Sequence, residues 1–168
     1  EWYNNVPDFT FEAPVHNTIL PFTRNVVGSM DYTPVTFTNS QHPHITSYGH
    51  ELALGVLFES ALQHMADRPE GYQELPFTAQ TFLRDIPVAW DDIRLLDGYP
   101  GQDITLARRK GDVWYIAGIN GEDKEKQNKI NLDFLPDNQQ YKLTLIADGD
   151  HDKALSIQYL VVDKSSSI

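Results

Sequence analysis

The chain of 168 residues contains no cysteine. That excludes a disulfide framework and thiolate chemistry and leaves the compartment open. Positive charge is scarce: 13 Lys and Arg face 24 Asp and Glu, a formal net charge of -11 and a pI near 4.8. Such a surface repels phosphate backbones and anionic headgroups. Nucleic acid is therefore not expected as a partner, while neutral sugars and divalent cations stay open. Long apolar runs are missing too. No stretch approaches the roughly 20 residues a spanning helix needs, so no membrane insertion is expected. The opening Glu1-Trp2-Tyr3-Asn4-Asn5 lacks the basic region and apolar run of a signal peptide and has no initiating Met. The sequence reads as a piece of something larger, which makes the missing signal uninformative.

What is present is globular in composition, 40% hydrophobic and 11% aromatic. Residues 1–46 show little periodicity. Within them Thr18–Phe22 reads as a buried strand or the opening of a short helix, with Pro21 suited to a first turn. Met30–Thr33 is a second short element, and Thr38–His44 a long polar loop of the kind that forms binding rims. From Ser47 to Ser60 apolar residues recur at helical spacing behind a Ser47 cap, with Gly55 suggesting close packing. Gln63–Asp67 has the length of one barrel strand, and residues 69–85 read as a second helical stretch. A helix, a short strand and a helix are the grammar of a β/α layer.

After Pro87 six strand-like runs follow: 90–96, 103–109, 114–119, 129–134, 141–147 and 156–162. Turn residues separate them, which predicts a small antiparallel sandwich. Lys164–Ser167 reads as a frayed end. The fold class expected is thus α/β plus β: residues 1–85 as a β/α layer, and residues 86–168 as an antiparallel β-sandwich domain. The first part is too short to close a barrel, which takes about 250 residues.

The run Pro21-Phe22-Thr23-Arg24-Asn25-Val26-Val27-Gly28-Ser29-Met30-Asp31-Tyr32-Thr33-Pro34 resembles the family 97 glycoside hydrolases. The resemblance continues through His50-Glu51-Leu52-Ala53, Phe58-Glu59-Ser60, Leu62-Gln63-His64, Ala66-Asp67, Asp97-Gly98, Ala107–Tyr115 and Asn120-Gly121. It implies an α-glucosidase or α-galactosidase acting on oligosaccharides, periplasmic, with a calcium ion beside the active site. It also implies that residues 1–85 are the C-terminal part of a (β/α)8 barrel, its last strands and helices, and that the upstream part of the same protein supplies the remaining barrel. On this likeness Glu1 is the general acid and also approaches the calcium, while the nucleophile or general base lies upstream.

Chemistry supplies the rest of the candidate list. Glycosidic hydrolysis needs one protonated and one ionised carboxyl group, and a terminal amine on Glu1 would oppose its protonation. Asp31 and Asp67 each follow a short apolar element, where barrel strands deliver side chains to the active face; each could instead cap a turn. Trp2 could stack on a pyranose or pack in the core. His44 and His50 are candidates for the substrate mouth, whereas His16 and His64 read as near-core residues. No histidine spacing suits zinc. Arg24 reads as a buried partner for a carboxylate, Glu51 and Glu59 as polar contacts of their helix, and Asp148–Asp152 as a solvated turn. Two other roles are open for the β-domain: a carbohydrate-binding module, or a purely structural flank without activity of its own. Strand alternation puts Trp114 and Tyr115 on opposite faces, which disfavours the module.

Overall fold

The structure is a computed structural model describing residues 7–33, 35–38 and 45–168. Helices occupy its first half and strands its second. The helix α1 (Pro7–Ile19) opens on a proline, whose missing N–H is not needed in a first turn, and carries Pro14 inside. It runs into a 3-10 turn at Leu20–Phe22 and the single-turn α2 (Arg24–Val27). Pro14 in its interior and a weak apolar period hide α1 in the sequence. The helix α3 (Tyr48–Leu57) matches expectation: Ser47 Oγ accepts the His50 amide at 3.2 Å, and seven of its residues are buried. The second helical stretch is divided into α4 (Pro69–Gln73) and α5 (Phe77–Asp85), with Pro76 between them.

The strand expected at Gln63–Asp67 does not form. Its polar groups are taken locally. The Gln63 amide donates to the Gly55 carbonyl at 2.8 Å, and the Asp67 N–H to the Tyr72 hydroxyl at 2.8 Å. The described residues ahead of the first strand therefore hold no barrel strand. His16, His64 and Arg24 are exposed rather than near-core. The Arg24 guanidinium donates to the carbonyls of Gly28 and Ser29, not to a carboxylate.

Five strands follow: β1 (Asp92–Tyr99), β2 (Asp103–Lys110), β3 (Val113–Asn120), β4 (Tyr141–Asp148) and β5 (Leu155–Val162). They form an antiparallel sheet in the order β1-β2-β3 and an antiparallel β4-β5 hairpin. A two-residue turn at Gly111-Asp112 pairs Lys110 with Val113, as its residue types suggest. Leu96 bulges out of the β1 register between Leu95 and Asp97. The sixth expected strand, at 129–134, is a correction. Ile130 and Leu132 bond to the C-terminal tail instead: Ile130 N–H to the Ile168 carbonyl at 2.6 Å, and Leu132 N–H to the Ser166 carbonyl at 3.1 Å. The tail is accordingly held rather than frayed, and Lys164 pairs with Asp137 at 3.0 Å.

The central strand β2 is buried from Asp103 to Arg108 because both faces are covered. Ile104 and Leu106 join Leu54, Val56, Leu57 and Phe58 from the α3 segment. Burial of each such side chain contributes about 1.5–3 kcal/mol. A Cβ on Gly55 would lie 2.9 Å from Ile86 Cδ1, which accounts for glycine in mid-helix. On the opposite side Trp114 and Ile116 pack with Leu132, Leu135, Leu143 and Val162. Trp114 stacks near Phe134 with centroids 4.8 Å apart, whereas Tyr115 meets Trp90 at 5.3 Å. The two aromatics point to opposite faces, as alternation requires, and offer no shared platform for a sugar ring.

Candidate functional site

The densest polar cluster surrounds the start of α3. Glu51, 7% exposed, sits one turn into the helix on an otherwise apolar element. A buried carboxylate requires partners, and it finds them across the chain. Its Oε2 accepts the amides of Val35 at 3.1 Å and Thr36 at 3.0 Å, while Oε1 accepts the Thr46 hydroxyl at 2.6 Å. Glu51 thereby staples together the two flanks of the polar loop. Val35 needs such support: it is fully buried with φ of +73°, a conformation costly for a β-branched residue.

Asp67 completes the same clamp. Its carboxylate accepts the Phe37 amide at 2.6 Å, the Thr38 amide at 2.9 Å, the Thr38 hydroxyl at 2.5 Å and the Arg68 amide at 2.7 Å. Burial pushes its pKa up, but the bonds from Thr38, Phe37 and Arg68 outweigh that and hold it below the usual carboxylate range. The Tyr72 hydroxyl donates to the Val35 carbonyl at 2.9 Å and Tyr48 to the Phe37 carbonyl at 2.9 Å. Burial, with the negative charges of Asp67 and Glu51 nearby, pushes the Tyr72 hydroxyl up to about 12. Burial likewise raises Tyr48, reinforced by Glu74 and Asp67. Both phenols therefore stay protonated at neutral pH and act as donors.

His50, 8% exposed, lies at the edge of this cluster. Its Nε2 is 3.0 Å from Asn17 Nδ2, and Asn17 Oδ1 accepts from the Tyr32 hydroxyl at 3.3 Å. His50 forms part of the wall of an open cleft of about 800 Å³ between α1, residues 45–50 and the turn after β3. Phe11 and Val15 line its apolar side, and Asn120, Glu122 and Lys124 its polar side.

His50 and Asp67 hold separate partners: His50 meets Asn17, whereas Asp67 binds Phe37, Thr38 and Arg68. Asp31 is exposed and stands apart from the clamp. Glu1, Trp2 and His44 lie outside the described residues. Among the described residues no three His, Cys, Asp or Glu side chains converge as a metal site. Sequence reasoning missed Asn17, hidden in the unrecognised α1. It also missed the reach of Glu51, whose place on an apolar helical face was the available signal. The acidic turn after β4 is not merely solvated, because Asp148 accepts from Ser47 and Gly49.

The chain is similar to known proteins over most of its length. The family model described as "Glycosyl-hydrolase 97 C-terminal, oligomerisation" matches residues 89–168. A probable retaining alpha-galactosidase of Streptomyces bingchenggensis is 50% identical over 103 residues, 61% of this chain and 16% of the relative. The retaining alpha-galactosidase of Bacteroides thetaiotaomicron is 36% identical over 144 residues, 80% of this chain and 21% of the relative. Among solved structures, a beta-arabinopyranosidase superposes with a TM-score of 0.85 at 27% identity, covering 96% of this chain and 26% of the other. The chain therefore spans a quarter or less of the curated relatives it matches, 16% and 21% of their lengths.

Proposed function

Because the chain corresponds to the C-terminal portion of the family 97 glycoside hydrolases, we propose that it closes a retaining α-galactosidase whose catalytic barrel is supplied by the rest of the enzyme. The observation that carries this reading is the 36% identity across 80% of the chain to a retaining alpha-galactosidase. A second observation supports it. The helical half exposes large apolar side chains, among them Phe11 at 72%, Val26 at 73% and Val27 at 87%. Such surface marks a contact face, and the remainder of the enzyme is the proposed cover.

In this reading Glu1 is the general acid that protonates the leaving oxygen, and its partner carboxylate comes from elsewhere in the enzyme. Retention needs the two carboxyl groups roughly 5 Å apart. Burial or a neighbouring carboxylate must raise the acid's pKa for it to hold a proton near neutrality. Trp2, Asp31, His44, His50 and Asp67 are proposed to line or support the sugar subsite. For Asp67 the four donors it already holds favour support over direct contact. A calcium requirement belongs to this proposal through Glu1 and donors outside the described residues. Periplasmic placement belongs to it through the family resemblance alone.

The β-domain serves in this reading as a structural flank. The family model's description suggests self-association as a further duty, and β5 offers the means. Tyr159 and Val161, 70% and 67% exposed, share one face of β5, where the Tyr159 hydroxyl also meets Thr78 at 2.9 Å, and among the described residues β5 is hydrogen-bonded as a strand to β4 alone.

The test is turnover of p-nitrophenyl α-galactoside, α-glucoside and β-L-arabinopyranoside by the full-length enzyme and by the 168-residue chain. Galactoside hydrolysis with net retention is expected from the former and no turnover from the latter. Turnover by the chain alone would refute the division of labour, and a preference for glucoside would refute the assigned specificity.

A further inference from the structure

The acidic turn that ends β4 makes a set of contacts the glycosidase reading does not use. Asp148 Oδ2 accepts the Ser47 hydroxyl at 2.7 Å, and Oδ1 accepts the Gly49 amide at 2.8 Å. Between them the Tyr48 amide donates to the Asp152 carbonyl at 2.7 Å. Three successive residues at the start of α3 are thus bound to one turn about a hundred positions away in sequence. A carboxylate at this end of the ten-residue helix also meets the positive pole of its dipole.

Gly49 provides separate support. A Cβ placed there would lie 2.6 Å from Asp148 Oδ1 and 3.2 Å from the Asp148 amide nitrogen. Only a residue without a side chain lets the turn sit this close. The turn itself is shaped for the purpose by the Gly149 amide donating to the Ala154 carbonyl at 2.8 Å. From Asp148 the connection continues inward. Ser47 Oγ, which donates to Asp148, also accepts the His50 amide, so one hydroxyl joins the turn to the helix that carries His50.

We propose that Asp148 is a positioning residue: it latches the β-domain onto the Ile45–His50 wall of the cleft and fixes His50 for substrate. The latch rests on the glycosidase reading for its effect on turnover, and on geometry alone for its existence. A segment that binds ground state and transition state alike changes KM and leaves kcat in place when it loosens.

The experiment uses the full-length enzyme and its Asp148→Ala, Asp148→Asn and Gly49→Ala variants. Amide hydrogen exchange is followed over residues 45–51, alongside kcat and KM for the α-galactoside. Loss of the carboxylate is expected to speed exchange of the Gly49 and His50 amides on the order of tenfold. KM is expected to rise several-fold with kcat within about twofold. Gly49→Ala, which keeps the charge but displaces it, is expected to reproduce both effects. Asp148→Asn, which retains an acceptor for Gly49, is expected to fall between wild type and Asp148→Ala. The exchange arm needs no substrate and so separates failure of the latch from failure of the glycosidase reading. Unchanged exchange at residues 47–50 overturns the latch whichever sugar is cleaved. Faster exchange with an unaltered KM overturns its positioning role.

Discussion

Replacing Asp67 with alanine removes four acceptor contacts at once, and their unequal burial sets the size of the effect. The Arg68 amide belongs to an exposed residue and returns to water at little cost. The Thr38 hydroxyl is half-buried and can turn outward. Phe37 is 2% exposed, so its amide, 2.6 Å from the carboxylate, loses its partner without replacement. A stranded buried donor costs about 1–3 kcal/mol, and the Thr38 bonds add about 1 kcal/mol. Local stability of residues 35–38 should therefore fall by about 2–4 kcal/mol, equivalent to roughly 30- to 900-fold faster amide exchange there. Peptide-resolved exchange of the Asp67→Ala enzyme at pH 7, corrected for intrinsic rates, measures this. The pH dependence carries a sign. The folded pKa of Asp67 is depressed, so its stabilisation is complete above the unfolded value near 3.9 and is lost as pH falls through the folded value. The difference between wild type and variant should thus persist at pH 5 and shrink below about pH 4. A change of less than about threefold at pH 7 would refute the argument, because it would mean that the Phe37 amide finds another partner.

Two further outcomes follow from the same contacts. Arg108 is 1% exposed and makes a 3.4 Å pairing with Glu59, a 3.1 Å bond to the Leu57 carbonyl and a cation–π contact 5.7 Å over Trp90, while its Nε has no hydrogen-bond partner among the described residues. Arg108→Met should therefore lose less than about 1.5 kcal/mol in denaturant unfolding, whereas Arg108→Ala, which also opens a cavity beside Trp90, should lose about 2–4 kcal/mol. Val161→Lys on the Tyr159 face of β5 should leave the fold intact but shift the enzyme toward monomer in light-scattering chromatography, and an unchanged mass would remove β5 from the interface.

How far the sequence could be read depended on where each element's stabilising contacts lie. Helix α3 was legible because its cap, Ser47, and its apolar period are local, and the Lys110–Val113 hairpin because its turn chemistry is local. The alternation of Trp114 and Tyr115 likewise followed from strand geometry alone. Helix α1 was not legible, since Pro14 in its interior contradicts helix propensity and its support comes from elsewhere: Gly121 lies close under Pro14 and Val15. The strand expected at Lys129–Phe134 failed for the same reason in reverse. Its residues have strand character, but the tail of the chain claims their hydrogen bonds. His50 and Asp67 stand out by residue type and local place, Asp67 because it follows a short apolar run. Glu51 and Asp148 act on residues 5 to 101 positions away, and no spacing rule reveals such partners.

The placement of β2 joins these observations. A strand buried on both faces cannot belong to the β-domain alone. One face packs on Trp114 and the hairpin side, while the other is covered by α3 through Leu54, Leu57 and Phe58. Shifting the sheet therefore shifts the helix that carries His50 and Glu51. The Asp148 turn adds a directional contact at the same helix's N-terminus, so α3 is held along its length by packing and at its end by charge. Packing alone resists separation but tolerates small sliding, because dispersion contacts are individually weak and undirected. Hydrogen bonds to a fixed carboxylate resist sliding. The β-domain in this way supplies register to the helix whose end meets the cleft.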